Sequence, residues 1–133
     1  MAFIRFNIVG IAGFAVQLGT LLALDAAGLP VLPATCLAVE AAILHNFAWH
    51  ERWTWAGVAA GTRAGRLVRF HLSNGLISIV GNAALTGALV HAGAPLVLAN
   101  GAAVLMCALL NFGAAHLWVF CATTWPTLHG HLH

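Results

Sequence analysis

Asn46-Phe47-Ala48-Trp49-His50-Glu51-Arg52-Trp53-Thr54-Trp55 is echoed 65 residues later by Asn111-Phe112-Gly113-Ala114-Ala115-His116-Leu117-Trp118-Val119-Phe120. Working outward, the same offset sets Ala34 on Ala99, Pro30 on Pro95, Gln17 on Asn82 and Gly10 on Gly75. Each copy holds two apolar segments around a turn rich in Gly and Pro, so the chain reads as two tandem helical hairpins. Internal repeats of membrane-length segments are a common plan for transporters and carriers. With two segments per unit, both units enter the membrane in the same direction, a parallel repeat about an axis along the membrane normal.

Composition agrees. Of 133 residues, 62% are hydrophobic and 6% charged, with a mean hydropathy of +0.95. Soluble domains carry roughly a quarter charged residues, so an integral membrane protein is expected. The length suits a single domain over 1–133: repeat one at about 5–55, repeat two at about 69–120 and a tail at 121–133. No Asp, Glu, Lys or Arg occurs after Arg69. The net charge of +2 is too small to attract nucleic acid. The three cysteines, Cys36, Cys107 and Cys121, form an odd set and read as small packing residues, not as a disulfide framework.

The fold expected is all-α, an integral membrane bundle of four transmembrane helices at 6–24, 31 to about 49, 70–90 and 96 to about 120. A helix needs about 20 residues to cross the hydrocarbon. Residues 6–24 also invite reading as a cleaved signal peptide, but the run exceeds the 7–15 residues of a signal core and has a counterpart in the second repeat. Four crossings put both termini and the central connector on one side. All five arginines lie in those segments: Arg5, Arg52, Arg63, Arg66 and Arg69. The positive-inside rule makes that side the cytoplasm, giving a multi-pass inner-membrane protein with cytoplasmic termini. Trp49, Trp53, Trp55, Trp118 and Trp125 gather at the same interface, where indoles settle.

In lipid, helices associate through small residues and polar contacts. Ala34, Ala38, Ala42 and Asn46 recur at intervals of four, as do Ala99, Ala103, Cys107 and Asn111. Gly13 and Gln17 in the first segment correspond to Ser78 and Asn82 in the third. Each hairpin therefore carries one amide at mid-depth and another near its inner end. Two readings stand: interhelical hydrogen bonds, or the lining of a cleft for a polar head group.

Glu40 falls near the middle of its segment, where a charge costs on the order of 3 kcal/mol on insertion scales. It is a candidate for proton-coupled exchange, or for a protonated acid bonded to Gln17 or Asn82. Asn46, Trp49, His50 and Trp53 share one helical face by their spacing of three and four. With Arg52 and Arg69 nearby, that face suits a phosphate flanked by a sugar, because guanidinium groups bind phosphate bidentately. The alternative is plain interfacial anchoring by Trp and Arg. Eight histidines raise the question of a metal, most of all in the alternating His129, His131 and His133. No motif carries metal-ligand spacing, so no metal and no cofactor are expected. The three carboxylates, Asp25, Glu40 and Glu51, lie at three depths and form no general acid/base pair. A non-enzymatic role is expected.

The Arg5-Phe6 start with Gly10, the Asn46-Phe47 pair before Arg52-Trp53-Thr54-Trp55, the Arg69-Phe70 start, and Asn111-Phe112 before Trp118-Val119-Phe120 together resemble GtrA-like proteins. The resemblance spans residues 5 to 120, and its specificity lies in the doubled pattern. It implies a small four-span inner-membrane protein of cell-surface polysaccharide synthesis that translocates polyprenyl-phosphate-linked sugars beside a membrane glycosyltransferase. The working expectation places the phosphate at Arg52, Arg69 and Asn46, with the sugar among Gln17, Asn82, Asn46 and Asn111. Four short spans enclose little volume, so a homo-oligomer is expected. Two alternatives remain: a non-catalytic subunit anchoring or regulating a glycosyltransferase, and a small proton-coupled exporter dependent on Glu40.

Overall fold

Gly28 and Gly93 hold φ angles of 85° and 94°, a left-handed backbone that glycine adopts without steric cost. Each reverses the chain between two helices. The computed structural model describes residues 1–120, so Cys121, Trp125 and the histidine tail lie outside the described residues. α1 (Ala2–Ala26) and α2 (Val31–Trp49) flank the first turn, and a π-helical turn over His50–Thr54 extends α2. A connector leads to α3 (Arg63–Leu76), which continues through a π-helical turn at Ile77–Gly81 into α4 (Asn82–His91). After the second turn comes α5 (Leu96–Ala114), extended by a π-helical turn over Ala115–Val119. The described residues form helices and no strand.

The backbone hydrogen bonds at the turns of the two halves correspond one for one. Ala27 N–H donates to Ala23 O, Gly28 to Asp25 O and Leu29 to Leu24 O. At the second turn, Ala92 donates to Ala88 O, Gly93 to Val90 O and Ala94 to Leu89 O. The π-turns close alike, with Trp55 N–H on His50 O and Phe120 N–H on Ala115 O, both at 2.9 Å. Among the described residues, three helical stretches are long and apolar enough to cross a membrane: Ala2–Ala26, Arg63–His91 and Leu96–Val119. Their outer surfaces expose Ile11, Phe14, Leu22, Ile79, Val97, Leu98 and Leu105. In water so much apolar surface would drive aggregation; in a bilayer it meets acyl chains.

α1 packs along α2, and α4 along α5. The small-residue stripes are the contact surfaces: Ala34, Ala38 and Ala42 are buried, as are Ala99, Ala103 and Cys107. Small side chains let two backbones approach closely, which is how helices gain van der Waals contact without a hydrophobic driving force. Gly13 marks the tightest approach, since a methyl group there would overlap the Asn46 side-chain amide. In the second half Ser78 stands at this position, and Asn111 Nδ2 donates to its Oγ at 3.0 Å.

The helix ends toward the connector converge on an aromatic cluster. Phe6, Phe47, Trp55, Phe70, Val119 and Phe120 are all buried in it. Trp55 stacks on Phe120 at 4.6 Å, and Phe6 stacks on His50 at 4.6 Å. Both π-turns end here, and each leaves carbonyls without a helical donor. Two arginines supply it: Arg5 Nη1 donates to Trp53 O at 3.0 Å and Arg69 Nη2 to Val119 O at 3.3 Å.

The connector is closed by charge. Arg63 Nε donates to Glu51 Oε2 at 2.7 Å, Arg66 pairs with Glu51 Oε1, and Arg66 Nη1 caps Gly61 O at 2.6 Å. Thr62 caps α3 by accepting from Gly65 N–H at 3.2 Å. Burial alone would raise the Glu51 carboxyl, but hydrogen bonds and charge from Arg66 and then Arg63 outweigh it and hold it below its ordinary 4.5. A carboxyl lowered by folding stabilises the fold above its unfolded value, and that contribution fades as pH falls through the folded one.

Two outcomes are expected. Pepsin cleavage within the connector should accelerate as pH drops below 4.5, and Glu51→Gln should be cut several-fold faster than wild type by proteinase K at neutral pH. Equal cleavage of the two proteins would show that the pair does not hold the connector. Gly13→Ala should cost about 1–3 kcal/mol of stability through overpacking against Asn46, read by thermal unfolding in detergent. Gly13→Ser should cost less, because its hydroxyl can accept the amide as Ser78 does.

Candidate functional site

Three adjoining cavities carry amides, two of them lined by both halves and one by the second half alone. The first, about 330 Å³, brings Gln17 and Asn46 together with α3 and the turn after it. The second, about 210 Å³, brings Asn82 and Asn111 together. The offset of 65 relates their walls: Gly13, Gln17, Val39, Ala42, Ile43 and Asn46 of one become Ser78, Asn82, Val104, Cys107, Ala108 and Asn111 of the other. A third cavity of about 340 Å³ joins them, with Asn46 and Asn111 both in its wall. The four amides expected from the sequence thus line one chain of cavities.

Two further amides belong to it. Asn74 lines both the first and the third cavity, and Asn7 lines the third. Asn74, Ser78 and Asn82 follow one another at intervals of four, a spacing that could have revealed Asn74 beforehand. Its counterpart in the first half is Val9, so the repeat gave no such signal. Hydrogen bonding among these groups is incomplete. Asn82 Oδ1 accepts from Thr86 Oγ1 at 3.4 Å, whereas Asn111 Oδ1 is a buried acceptor with no donor. An unmet buried acceptor costs on the order of 1–3 kcal/mol unless a ligand or water serves it. What this lining can do chemically is exchange hydrogen bonds with hydroxyl groups inside an otherwise apolar frame.

The remaining expected residues are placed differently. His50 is only 2% exposed, stacked on Phe6, with Nδ1 sharing a 3.0 Å hydrogen bond with Thr54 Oγ1. Its Phe6-stacked ring supports the aromatic cluster at the edge of the third cavity. Trp49, Arg52 and Trp53 line a separate cavity of about 480 Å³ together with His45, Ile8, Val9 and Ala12. The face drawn through Asn46, Trp49, His50 and Trp53 is therefore divided: Asn46 and His50 open on the amide groove, Trp49 and Trp53 on the other side of the α1–α2 pair. Arg69 donates from Nη2 to Val119 O, while its buried Nε has no partner among the described residues. Arg52 thus borders the cavity beside Trp49, whereas Asn46 borders the amide groove.

Glu40 is not an isolated buried acid. Its side chain is 49% exposed, and both oxygens accept from His71 Nε2, at 2.9 and 3.0 Å. His71 Nδ1 in turn lies 3.3 Å from Leu67 O, so both ring nitrogens face acceptors. Of the partners expected for Glu40, Asn82 accepts from Thr86 and Gln17 lines the first cavity. The Glu40–His71 bond links α2 to α3 across the two halves. Among the described residues no group of three His, Cys, Asp or Glu is arranged to hold a metal ion.

Comparison with known proteins agrees with the all-helical, multi-pass architecture. The family described as "GtrA/DPMS, transmembrane domain" matches residues 5–120. A protein named dolichol-phosphate mannosyltransferase, from Pyrococcus furiosus, is 36% identical over 88 residues, covering 66% of this chain and 22% of that protein. The chain thus corresponds to about a fifth of the length of this curated relative. With the match extending from the Arg5 cap to the second π-turn and Phe120, the chain belongs to the GtrA/DPMS transmembrane domain family.

Proposed function

We propose that this protein is a non-catalytic membrane carrier that moves polyprenyl-phosphate-linked sugars across the inner membrane for cell-surface polysaccharide synthesis. The observation that carries the proposal is the chain of amide-lined cavities, with Asn111 Oδ1 left without a donor among the described residues. A sugar crossing bare hydrocarbon would lose the hydrogen bonds of every hydroxyl. Gln17, Asn46, Asn74, Asn82 and Asn111 replace them, while the polyprenyl tail stays in lipid. The family match supports the lipid-linked-sugar setting.

In this reading the chain crosses the membrane four times as two tandem hairpins in one domain, with both termini and every arginine in the cytoplasm. The matching turn bonds at Gly28 and Gly93 support the duplicated hairpin, and the 19 residues of α2 give about 28 Å of helix, close to the hydrocarbon thickness. A groove this shallow calls for a second copy of the chain to close it, as a homo-oligomer. A second reading is favoured by the name of the Pyrococcus relative: a membrane subunit that presents the lipid to a glycosyltransferase.

In proteoliposomes, a fluorescent short-chain polyprenyl-phosphate sugar should become accessible to dithionite on both leaflets at a rate set by the protein. Asn46→Ala combined with Asn111→Ala should slow this by about tenfold or more, the loss of two buried hydrogen-bonding groups. A double variant that melts like wild type and flips at the wild-type rate would overturn the carrier reading. A wild-type protein that does not flip, but raises glycosyltransferase activity in the same vesicles, would establish the subunit reading instead.

A further inference from the structure

The cavity on the other side of the α1–α2 pair has a chemistry that the duplicated frame does not repeat. Ile8, Val9 and Ala12 form its α1 wall; His45, Trp49, Arg52 and Trp53 form the wall opposite. At about 480 Å³ it falls within the size range of small-molecule sites. The offset of 65 puts Leu110, Ala114 and Leu117 at the positions of His45, Trp49 and Arg52. The second half therefore lacks the cation and the imidazole, keeps one indole as Trp118 opposite Trp53, and has Ser73 and Asn74 opposite Ile8 and Val9.

Arg52 is also the arginine that folding leaves unused. Arg5 is spent on Trp53 O, Arg63 and Arg66 on Glu51, and Arg69 on Val119 O. Arg52 is exposed and has no hydrogen-bond or ion-pair partner among the described residues. The wall beside it is held in place: the Arg5 guanidinium lies 5.5 Å from the Trp53 ring centroid while donating to the Trp53 carbonyl. A fixed indole, a free guanidinium and an apolar wall on a membrane helix make an amphiphile site with an anionic end.

We infer that this cavity binds the phosphate and first isoprene units of a prenyl phosphate, outside the amide groove. Arg52 holds the phosphate through its planar fork, Trp49 and Trp53 flank the head, and the chain runs along Ile8, Val9 and Ala12. The identity of the lipid rests on the carrier reading above; the presence of an anionic-lipid site rests on the cavity itself. His45 connects the two places. Its ring lines the Arg52 cavity, and its Nδ1–H donates to Asn46 Oδ1 in the groove at 3.2 Å. A phosphate on Arg52 thus lies one side chain away from an amide of the groove.

The test uses the full chain in phosphatidylcholine nanodiscs with radiolabelled geranylgeranyl phosphate. Arg52→Gln should weaken binding by about tenfold or more, the loss of one charge-assisted bidentate pair. Arg52→Lys should lose less, because it keeps the charge and only gives up the fork. Arg63→Gln removes an equal charge elsewhere and should bind within about twofold of wild type, as expected for an exposed cation. Geranylgeraniol, which lacks the phosphate, should compete at least tenfold less well, on the order of one charge-assisted pair. Unchanged affinity in Arg52→Gln, equal competition by geranylgeraniol, or equal competition by dioleoyl phosphatidic acid would each overturn the inference. Its fate is separable from that of the carrier reading: a protein that binds through Arg52 but does not flip keeps the site and loses the carrier, and the reverse pattern does the opposite.

Discussion

A buried backbone carbonyl at a helix end must find a donor, because burial removes the water that would otherwise serve it. This protein meets that demand twice at the connector end, where the π-turns after α2 and α5 run out. Arg5 reaches Trp53 O and Arg69 reaches Val119 O, each from the start of a helix in the same half as the turn it caps. The two caps fix the turns, and the turns bring Trp55 and Phe120 into the stacked cluster where both halves meet. Without them the aromatic core would have no fixed frame, and the cavities above it no fixed walls.

On that frame the two halves behave as one template with different furnishing. The amide cavities follow the template closely, down to the contact of Asn46 with Gly13 and of Asn111 with Ser78. The Arg52 cavity departs from it, since Leu110 and Leu117 stand in the second half where the first has His45 and Arg52.

Much of this was legible beforehand because the repeat acts as a built-in comparison. The offset of 65 found the helices, the glycine turns, the small-residue stripes and four of the groove amides. It failed where a residue has no polar counterpart, as with Asn74 opposite Val9 and His71 opposite Phe6. It also could not say which arginines were free. Grouping Arg52 with Arg69 assumed that basic residues near one interface share one ligand, yet carbonyl capping claims Arg69. Helical spacing likewise put His50 beside Trp49 and Trp53, but a face of that width borders two cavities and stacking on Phe6 decides which one His50 meets.

The Glu40–His71 bridge makes the two seams of the duplicated molecule unlike. Where α2 meets α3, a side-chain hydrogen bond ties the halves together; the positions 65 residues away hold Leu105 and Phe6, which can form no such bond. Two halves alike in outline are thus joined by different chemistry on their two flanks.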